Sequence, residues 1–121
     1  MKVAILKLRG ILLTSIQVDM SDGDAMVFQE DVMRVLSVSE ARGLVIDITA
    51  MDVVDSFMAR VINDTAIQAS MLGAQVILCG MQPDVALTLI EMGRELIGVE
   101  TVLNLDQAFN RLETLIEERE A

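Results

Sequence analysis

The sequence contains no histidine, which removes the side chain that most often serves as a general base near neutral pH. Its single cysteine, Cys79, excludes an internal disulfide and a thiolate metal cluster. No glycine-rich phosphate-binding motif, neither G-x-G-x-x-G nor a P-loop, follows any apolar run. These absences argue against an enzyme, and we expect neither a cofactor nor a metal.

Aromatic and basic residues are also scarce. Three Phe without Trp or Tyr leave few stacking platforms for single-stranded nucleic acid. With 9 Lys and Arg against 19 Asp and Glu, the net charge is −10. A surface of that sign repels phosphate backbones and anionic lipid headgroups, so we expect no nucleic-acid or membrane partner. Since the sequence lacks both an uninterrupted apolar run of about 18 residues and a signal-peptide pattern, it predicts a cytoplasmic protein.

The pattern of apolar runs indicates a single α/β domain over residues 1–121. Two short apolar runs, 2–8 and 11–18, predict antiparallel strands joined at Arg9 and Gly10. From residue 40 onward strands and helices alternate, which implies right-handed parallel crossovers. The predicted order is β-β-α-β-α-β-α-β-α. We expect a mixed, mainly parallel sheet of four or five strands, with about four helices packed mainly on one side.

Helical periodicity predicts the ends of the helices and the residues of the core. Ser21 and Asp24 have the spacing of a capping box for the first helix. The second helix is predicted over 55–72, with Gly73 as its stop. Its predicted inner face comprises Met58, Ile62, Thr65, Ala66, Ala69 and Leu72, with Phe57 and Val61 at the margin, while Ile67 and Met71 fall outside. The residues that we expect to be buried are Ile46, Ile48, Ile62, Val76, Leu78 and Phe109.

The stretch MDVVDSFMAR, residues 51–60, joins a buried strand to the second helix. Either Asp55 or Ser56 can cap that helix, which would stabilise the fold by about 1 kcal/mol. The same position, at the carboxyl end of a parallel strand, is where ligands dock on open α/β sheets. A serine hydroxyl there is accessible to a kinase, and phosphorylation would add roughly −1.5 to −2 charges beside Asp52 and Asp55. The sequence therefore raises a second interpretation, in which Ser56 is a reversible switch.

Two other residues with reactive groups are weaker candidates. Asp47 lies near the end of a central strand, as a phospho-accepting aspartate would, but such a site also needs an acidic cluster for Mg²⁺ and a lysine. No lysine occurs beyond Lys7. Cys79 has no histidine to activate it and ends an apolar strand, which is typical of a core cysteine.

Over essentially its whole length the sequence resembles the STAS domain family of anti-sigma factor antagonists. Within that family, GLVIDITAMDVVDSFMARVINDTA and GAQVILCGMQPDVALTLIEMG are similar to RsbS-like stressosome scaffold proteins. The Asp55–Ser56 pair lies where those proteins carry their phosphorylatable serine. Phe57 departs from the small residue that many antagonists have after the serine, and it fits the RsbS-like subgroup better.

The resemblance implies a non-catalytic scaffold that forms homo- and hetero-oligomers in a large complex with an RsbR-like STAS paralogue. Unphosphorylated, the assembly would sequester an RsbT-like serine kinase. Phosphorylation of Ser56 would release the kinase, and an RsbX-like phosphatase would reset the serine. The docking surface implied around Ser56 comprises Asp52, Asp55, Arg60 and Asn63, and any ATP would belong to the kinase.

Two alternatives remain at the level of the sequence. A monomeric partner-switching antagonist would bind one anti-sigma kinase without a large assembly, and native mass distinguishes it from a scaffold. A small-ligand-binding α/β domain would respond to a metabolite in a thermal-shift screen.

Overall fold

The computed structural model describes residues 4–16, 20–91 and 99–120, and within them strands and helices follow the predicted order. The strands are β1 (Ile5–Leu8), β2 (Ile11–Ser15), β3 (Gly43–Asp47), β4 (Gln75–Cys79) and β5 (Glu100–Val102). The helices are α1 (Asp22–Ser39), α2 (Ser56–Met71), α3 (Pro83–Glu91) and α4 (Leu105–Glu120). Parts of three predicted elements lie outside the described ranges. They are residues 2–3 and 17–18 of the two N-terminal strands and residues 92–96 of the third helix.

One mixed sheet of five strands, in the order β1-β2-β3-β4-β5, forms the centre of the described chain. β1 is antiparallel to β2, with Leu6 opposite Leu13. β2 to β5 are parallel, and the register aligns Leu12, Leu44 and Val76 across three neighbouring strands. The predicted hairpin and the predicted parallel pairing of β3 with β4 are therefore confirmed.

Successive strand residues point to opposite faces of the sheet, so each face has its own core. Leu44, Ile46 and Leu78 face α1, α2 and α3, while Val45 and Ile77 face α4. Three helices on one face and one on the other confirm the expectation that helices pack mainly on one side. Apolar residues on both faces make β3 and β4 nearly continuous hydrophobic runs, as parallel strands covered by helices require.

Most predicted core residues are buried: Ile46, Ile48, Ile62, Val76 and Leu78. Phe109 was expected to be buried as well, and this prediction is wrong. Its side chain is half-buried at the margin of the α4 core, because α4 is the one described helix on that face and leaves its own flanks open.

The predicted inner face of the second helix also needs correction at three residues, one of which is Ala59, buried in the core but absent from the predicted face. Leu72 is 54% exposed, because α2 ends at Met71 and Leu72 already belongs to the turn that leaves the helix. Val61, placed at the margin, is buried because α1 packs against α2 and widens the covered face. Ile67 and Met71 are exposed, as expected.

Local side-chain bonds account for where α1 and α2 begin and end. The Ser21 hydroxyl accepts a hydrogen bond from the Asp24 amide, and the Asp24 carboxylate accepts one from the Ser21 amide, each at 3.1 Å. This is the predicted capping box. After α2, Gly73 has a φ of +95°, the left-handed conformation that glycine adopts readily, so the chain can turn into β4.

Candidate functional site

A tight turn at the end of β3 fixes the segment that carries the candidate serine. The Asp47 carboxylate accepts hydrogen bonds from the Thr49 amide at 2.9 Å and from the Thr49 hydroxyl at 2.5 Å. The Gln82 side-chain amide donates to the Thr49 carbonyl at 2.9 Å, and the Ile48 amide donates to the Cys79 carbonyl at 2.9 Å. These bonds hold the start of the segment against the end of β4.

Gly80 allows this turn to lie directly on the end of β4. A Cβ atom at Gly80 would lie 2.0 Å from the Thr49 hydroxyl oxygen and 3.0 Å from the Thr49 Cα, and Gly80 has a φ of +79°. Both the close approach and the left-handed backbone exclude a side chain. Gly80, Thr49 and Gln82 thus form a supporting layer beneath the site. A lone glycine after a strand was the one sign of it in the sequence.

Between the turn and α2, the chain alternates between anchors and exposed side chains. Met51 and Val54 are buried in the core of the α1–α3 face. Asp52 and Val53 between them are exposed. The Met51 amide also donates to the Ile48 carbonyl at 3.0 Å. The segment is therefore held at both ends and presents its outer residues to solvent.

Asp55 caps α2, and Ser56 is the first residue of that helix. The Asp55 carboxylate accepts a hydrogen bond from the Met58 amide at 2.8 Å, and the Asp55 carbonyl accepts one from the Ala59 amide at 3.0 Å. Ser56 is exposed. The sequence left open which of the two residues caps the helix; the structure assigns the cap to Asp55, so the Ser56 hydroxyl has no role in it.

A cavity of about 230 Å³ lies between the start of α1 and the start of α2, beside Ser56. Its lining combines three carboxylates with apolar side chains: Met20, Asp22, Met51, Asp52, Val53, Asp55 and Met58. Within the described ranges no group of three metal-ligating side chains is arranged to hold a metal ion. No pattern in the sequence indicates this cavity, because the packing of α1 on α2 brings Met20 and Asp22 to it.

The remaining predicted docking residues lie further along α2. Arg60 is exposed one turn after Ser56, on the same side of the helix. Asn63 is only half-buried, and its side-chain oxygen is buried without a hydrogen-bond partner among the described residues. The structure therefore brings Asp52, Asp55, Ser56 and Arg60 to one exposed surface, with Asn63 at its inner margin.

Both of the other reactive candidates are held within the fold. The carboxylate of Asp47 is bonded within the turn to Thr49. Cys79 is 1% exposed, and burial, reinforced by the nearby Asp47 carboxylate, raises the pKa of its thiol to about 12. A thiol with that pKa stays protonated near neutral pH and is a poor nucleophile.

The fold and the site together define a class of protein: an α/β sheet domain with an exposed serine at the start of the helix that follows a central parallel strand. The family model of the STAS domain matches residues 2–108. The chain belongs to the STAS domain family.

Solved structures are similar over nearly the whole chain. A serine-to-glutamate variant of RsbS from Moorella thermoacetica is 36% identical with a TM-score of 0.87, over 97% of this chain and 99% of that chain. A chain in a structure of the stressosome, described as a signal integration and transduction hub, is 37% identical with a TM-score of 0.81, over 93% of this chain and 97% of that chain. These similarities extend well beyond the fold, since more than a third of the residues are identical.

More distant similarities show the fold alone. The anti-sigma factor antagonist SpoIIAA in its unphosphorylated form is 8% identical with a TM-score of 0.69, over 92% of this chain and 97% of that chain.

Among curated proteins, the uncharacterized YezB of Bacillus subtilis is 30% identical over 69 residues, which are 57% of this chain and 70% of that protein. None of the helices in the three described ranges is long and apolar enough to cross a bilayer.

Proposed function

We propose that this chain is a non-catalytic scaffold of a stressosome-like assembly, and that it holds a serine kinase through the surface around Ser56. The observation that carries the proposal is the division of roles at the start of α2. Because Asp55 caps the helix, Ser56 is exposed and can be modified without loss of the cap. The similarity to RsbS and to a stressosome chain supports the same role.

In this proposal the kinase transfers the γ-phosphoryl group of ATP to the Ser56 oxygen: the new O–P bond forms as the bond to ADP breaks, ADP leaves, and the hydroxyl proton passes to a base of the kinase. The surface then gains roughly −1.5 to −2 charges next to Asp52 and Asp55. The anchors of the segment, Met51 and Val54, are buried in the core, so the fold persists while the docking surface changes. The kinase is released, and a phosphatase restores the serine.

The proposed partners are an RsbR-like STAS paralogue in the assembly, an RsbT-like serine kinase and an RsbX-like phosphatase. A scaffold and a monomeric antagonist predict different masses, so native mass spectrometry of the chain co-expressed with a STAS paralogue distinguishes them. A complex of many subunits supports the scaffold, whereas a monomer or a simple pair supports the antagonist.

The switch is tested by capture of the cognate kinase on immobilised wild-type protein, Ser56→Ala and Ser56→Asp. We expect Ser56→Ala to fold and to capture the kinase but to resist phosphorylation. We expect Ser56→Asp to capture less, although only partly so, because a carboxylate carries about half the charge of a phosphate. Equal capture by all three proteins would overturn the switch.

Ser70→Asp is the matched control for added charge. Ser70 is exposed on the same helix but near its opposite end, so the substitution adds the same charge away from the docking surface. Capture should be unchanged in this variant. A loss of capture equal to that of Ser56→Asp would assign the effect to net charge and contradict a local switch.

A further inference from the structure

Arg60 differs from the other basic side chains of the described ranges, because it has neither a hydrogen bond nor an ion pair. Acceptors in the same chain bind each of the others: Lys7, Arg9, Arg34, Arg42, Arg111 and Arg119. In a chain of net charge −10, an arginine without a carboxylate partner is unexpected. Its guanidinium is exposed and available.

The spacing of Arg60 from Ser56 on α2 puts the serine within reach of that guanidinium. The two residues are four apart in α2, so their Cβ atoms are roughly 5–6 Å from each other. Side chains on a helix lean toward its N-terminus, which brings a long arginine side chain back over the preceding turn. An acidic group that precedes a basic group by four residues is also the more favourable order on a helix.

No nearby carboxylate in the described ranges forms an ion pair with this arginine. Asp55 directs its carboxylate to the Met58 amide, as the helix cap. Asp64 follows Arg60 by four residues in the less favourable order, is half-buried, and forms no ion pair with it. Asp52 lies in the segment before the helix and lines the cavity. A phosphate on Ser56 would therefore be the strongest acceptor within reach of the guanidinium.

We propose that Arg60 is the intramolecular partner of the phosphate on Ser56. Its planar guanidinium can donate two parallel hydrogen bonds to phosphate oxygens. Phosphorylation would then change the docking surface in two ways. It adds a negative group, and it engages Arg60, the one basic side chain in the described ranges that is free to bind a partner's carboxylate. The inference rests on the proposed function only for the premise that Ser56 is phosphorylated.

The test uses the full chain with phosphoserine incorporated at position 56 during translation, so that no kinase is needed. The phosphorus-31 NMR signal of the phosphate is followed against pH at low salt, in this protein and in its Arg60→Gln variant. Because a nearby cation favours the dianion, the midpoint should lie about 0.3 pH units higher in Arg60→Gln. The field of the helix start is the same in both proteins and does not contribute to the difference.

Arg34→Gln is the matched control, since it removes one positive charge from an exposed helical position on α1. Its midpoint should equal that of the parent phosphoprotein. Equal midpoints for the parent and Arg60→Gln, with circular dichroism showing both folded, would overturn the pairing. A shift of the same size in Arg34→Gln would overturn it too, because the effect would then be one of net charge.

The result separates this inference from the proposed function. If the kinase fails to modify Ser56 but the titration shows the shift, the pairing stands and the switch fails. If the kinase modifies Ser56 but Arg60→Gln leaves the midpoint unchanged, the switch stands and the pairing is wrong.

Discussion

The Asp55 carboxylate, 2.8 Å from the Met58 amide, caps α2 and leaves the neighbouring Ser56 hydroxyl exposed. Two adjacent residues that can each cap a helix therefore have different roles. One is bonded into the fold, and the other is presented at the surface. Modification of Ser56 need not compete with the cap, which is the geometric requirement for a reversible mark on a stable domain.

The division of roles predicts unequal effects of alanine at the two positions. Asp55→Ala should lower the free energy of unfolding by about 1 kcal/mol, because the Met58 amide loses its acceptor. Ser56→Ala should change it by less than about 0.5 kcal/mol, because the side chain is exposed and makes no capping bond. Urea denaturation followed by circular dichroism measures both. An equal loss in the two variants would mean that Ser56 shares the cap.

Gly80→Ala should destabilise the protein and disturb the segment before α2. The new Cβ would collide with Thr49, and Gly80 has a left-handed φ, so Thr49 must shift away from Asp47 and Gln82. Gly23→Ala is the control: Gly23 lies in α1, and the closest atom to its added Cβ is 3.8 Å away. That variant should be neutral or more stable by up to about 1 kcal/mol. Thermal melts that rank Gly80→Ala level with Gly23→Ala would contradict the close approach.

Ile62→Ala should cost about 2–5 kcal/mol, because the residue is 1% exposed in the core between α2 and the sheet. Ile67→Ala removes the same atoms from the outer side of the same helix, where the side chain is 37% exposed. That variant should change stability by no more than about 0.5 kcal/mol. Chemical denaturation of both proteins gives the comparison. A loss below half a kcal/mol for Ile62→Ala would show that the inner face of α2 is assigned wrongly.

Burial of Cys79 predicts a stability that falls in alkaline solution. The pKa of its thiol is raised from 9.0 to about 12 in the folded protein, so the unfolded chain releases this proton first. Its contribution to stability is therefore complete below pH 9 and is lost between pH 9 and 12. Denaturation from pH 7 to 10.5 should show a smaller decline in Cys79→Ala than in the wild type. A thiol reagent that labels the native protein at pH 7 as fast as the unfolded chain would contradict the burial.

The order of elements was predictable because it depends on local signals. Ser21 with Asp24, and Gly73 after a helical run, identify ends of helices through bonds within a few residues. Burial that depends on neighbours in space is harder to predict. Helical periodicity puts Phe109 on the inner stripe of α4, but it cannot tell how far a lone helix covers its flanks. The burial of Val61 is underestimated for the converse reason, since α1 extends the buried face of α2.

Prediction of the candidate site from the sequence meets the same limit. The turn and the exposed serine follow from MDVVDSFMAR, but the choice between Asp55 and Ser56 as the cap depends on which residue keeps the extended backbone before the helix, and that residue is Asp55. The layer formed by Thr49, Gly80 and Gln82 joins residues about 30 apart in sequence, and only the parallel pairing of β3 with β4 brings them together. That Arg60 has no ion-pair partner within the described part of the chain likewise depends on where each neighbouring carboxylate lies in space.

The position of α4 has a consequence for synthesis on the ribosome. Of the residues that the structure describes, Ala108, Leu112 and Ile116 are the buried helical ones on their side of the sheet, where they cover Val45, Ile77 and Cys79. The other face can be covered once α1, α2 and α3 have emerged, but this one stays open until residue 116 has left the exit tunnel. A nascent chain stalled before α4 would thus display apolar strands to chaperones, and its folding would finish in a late step.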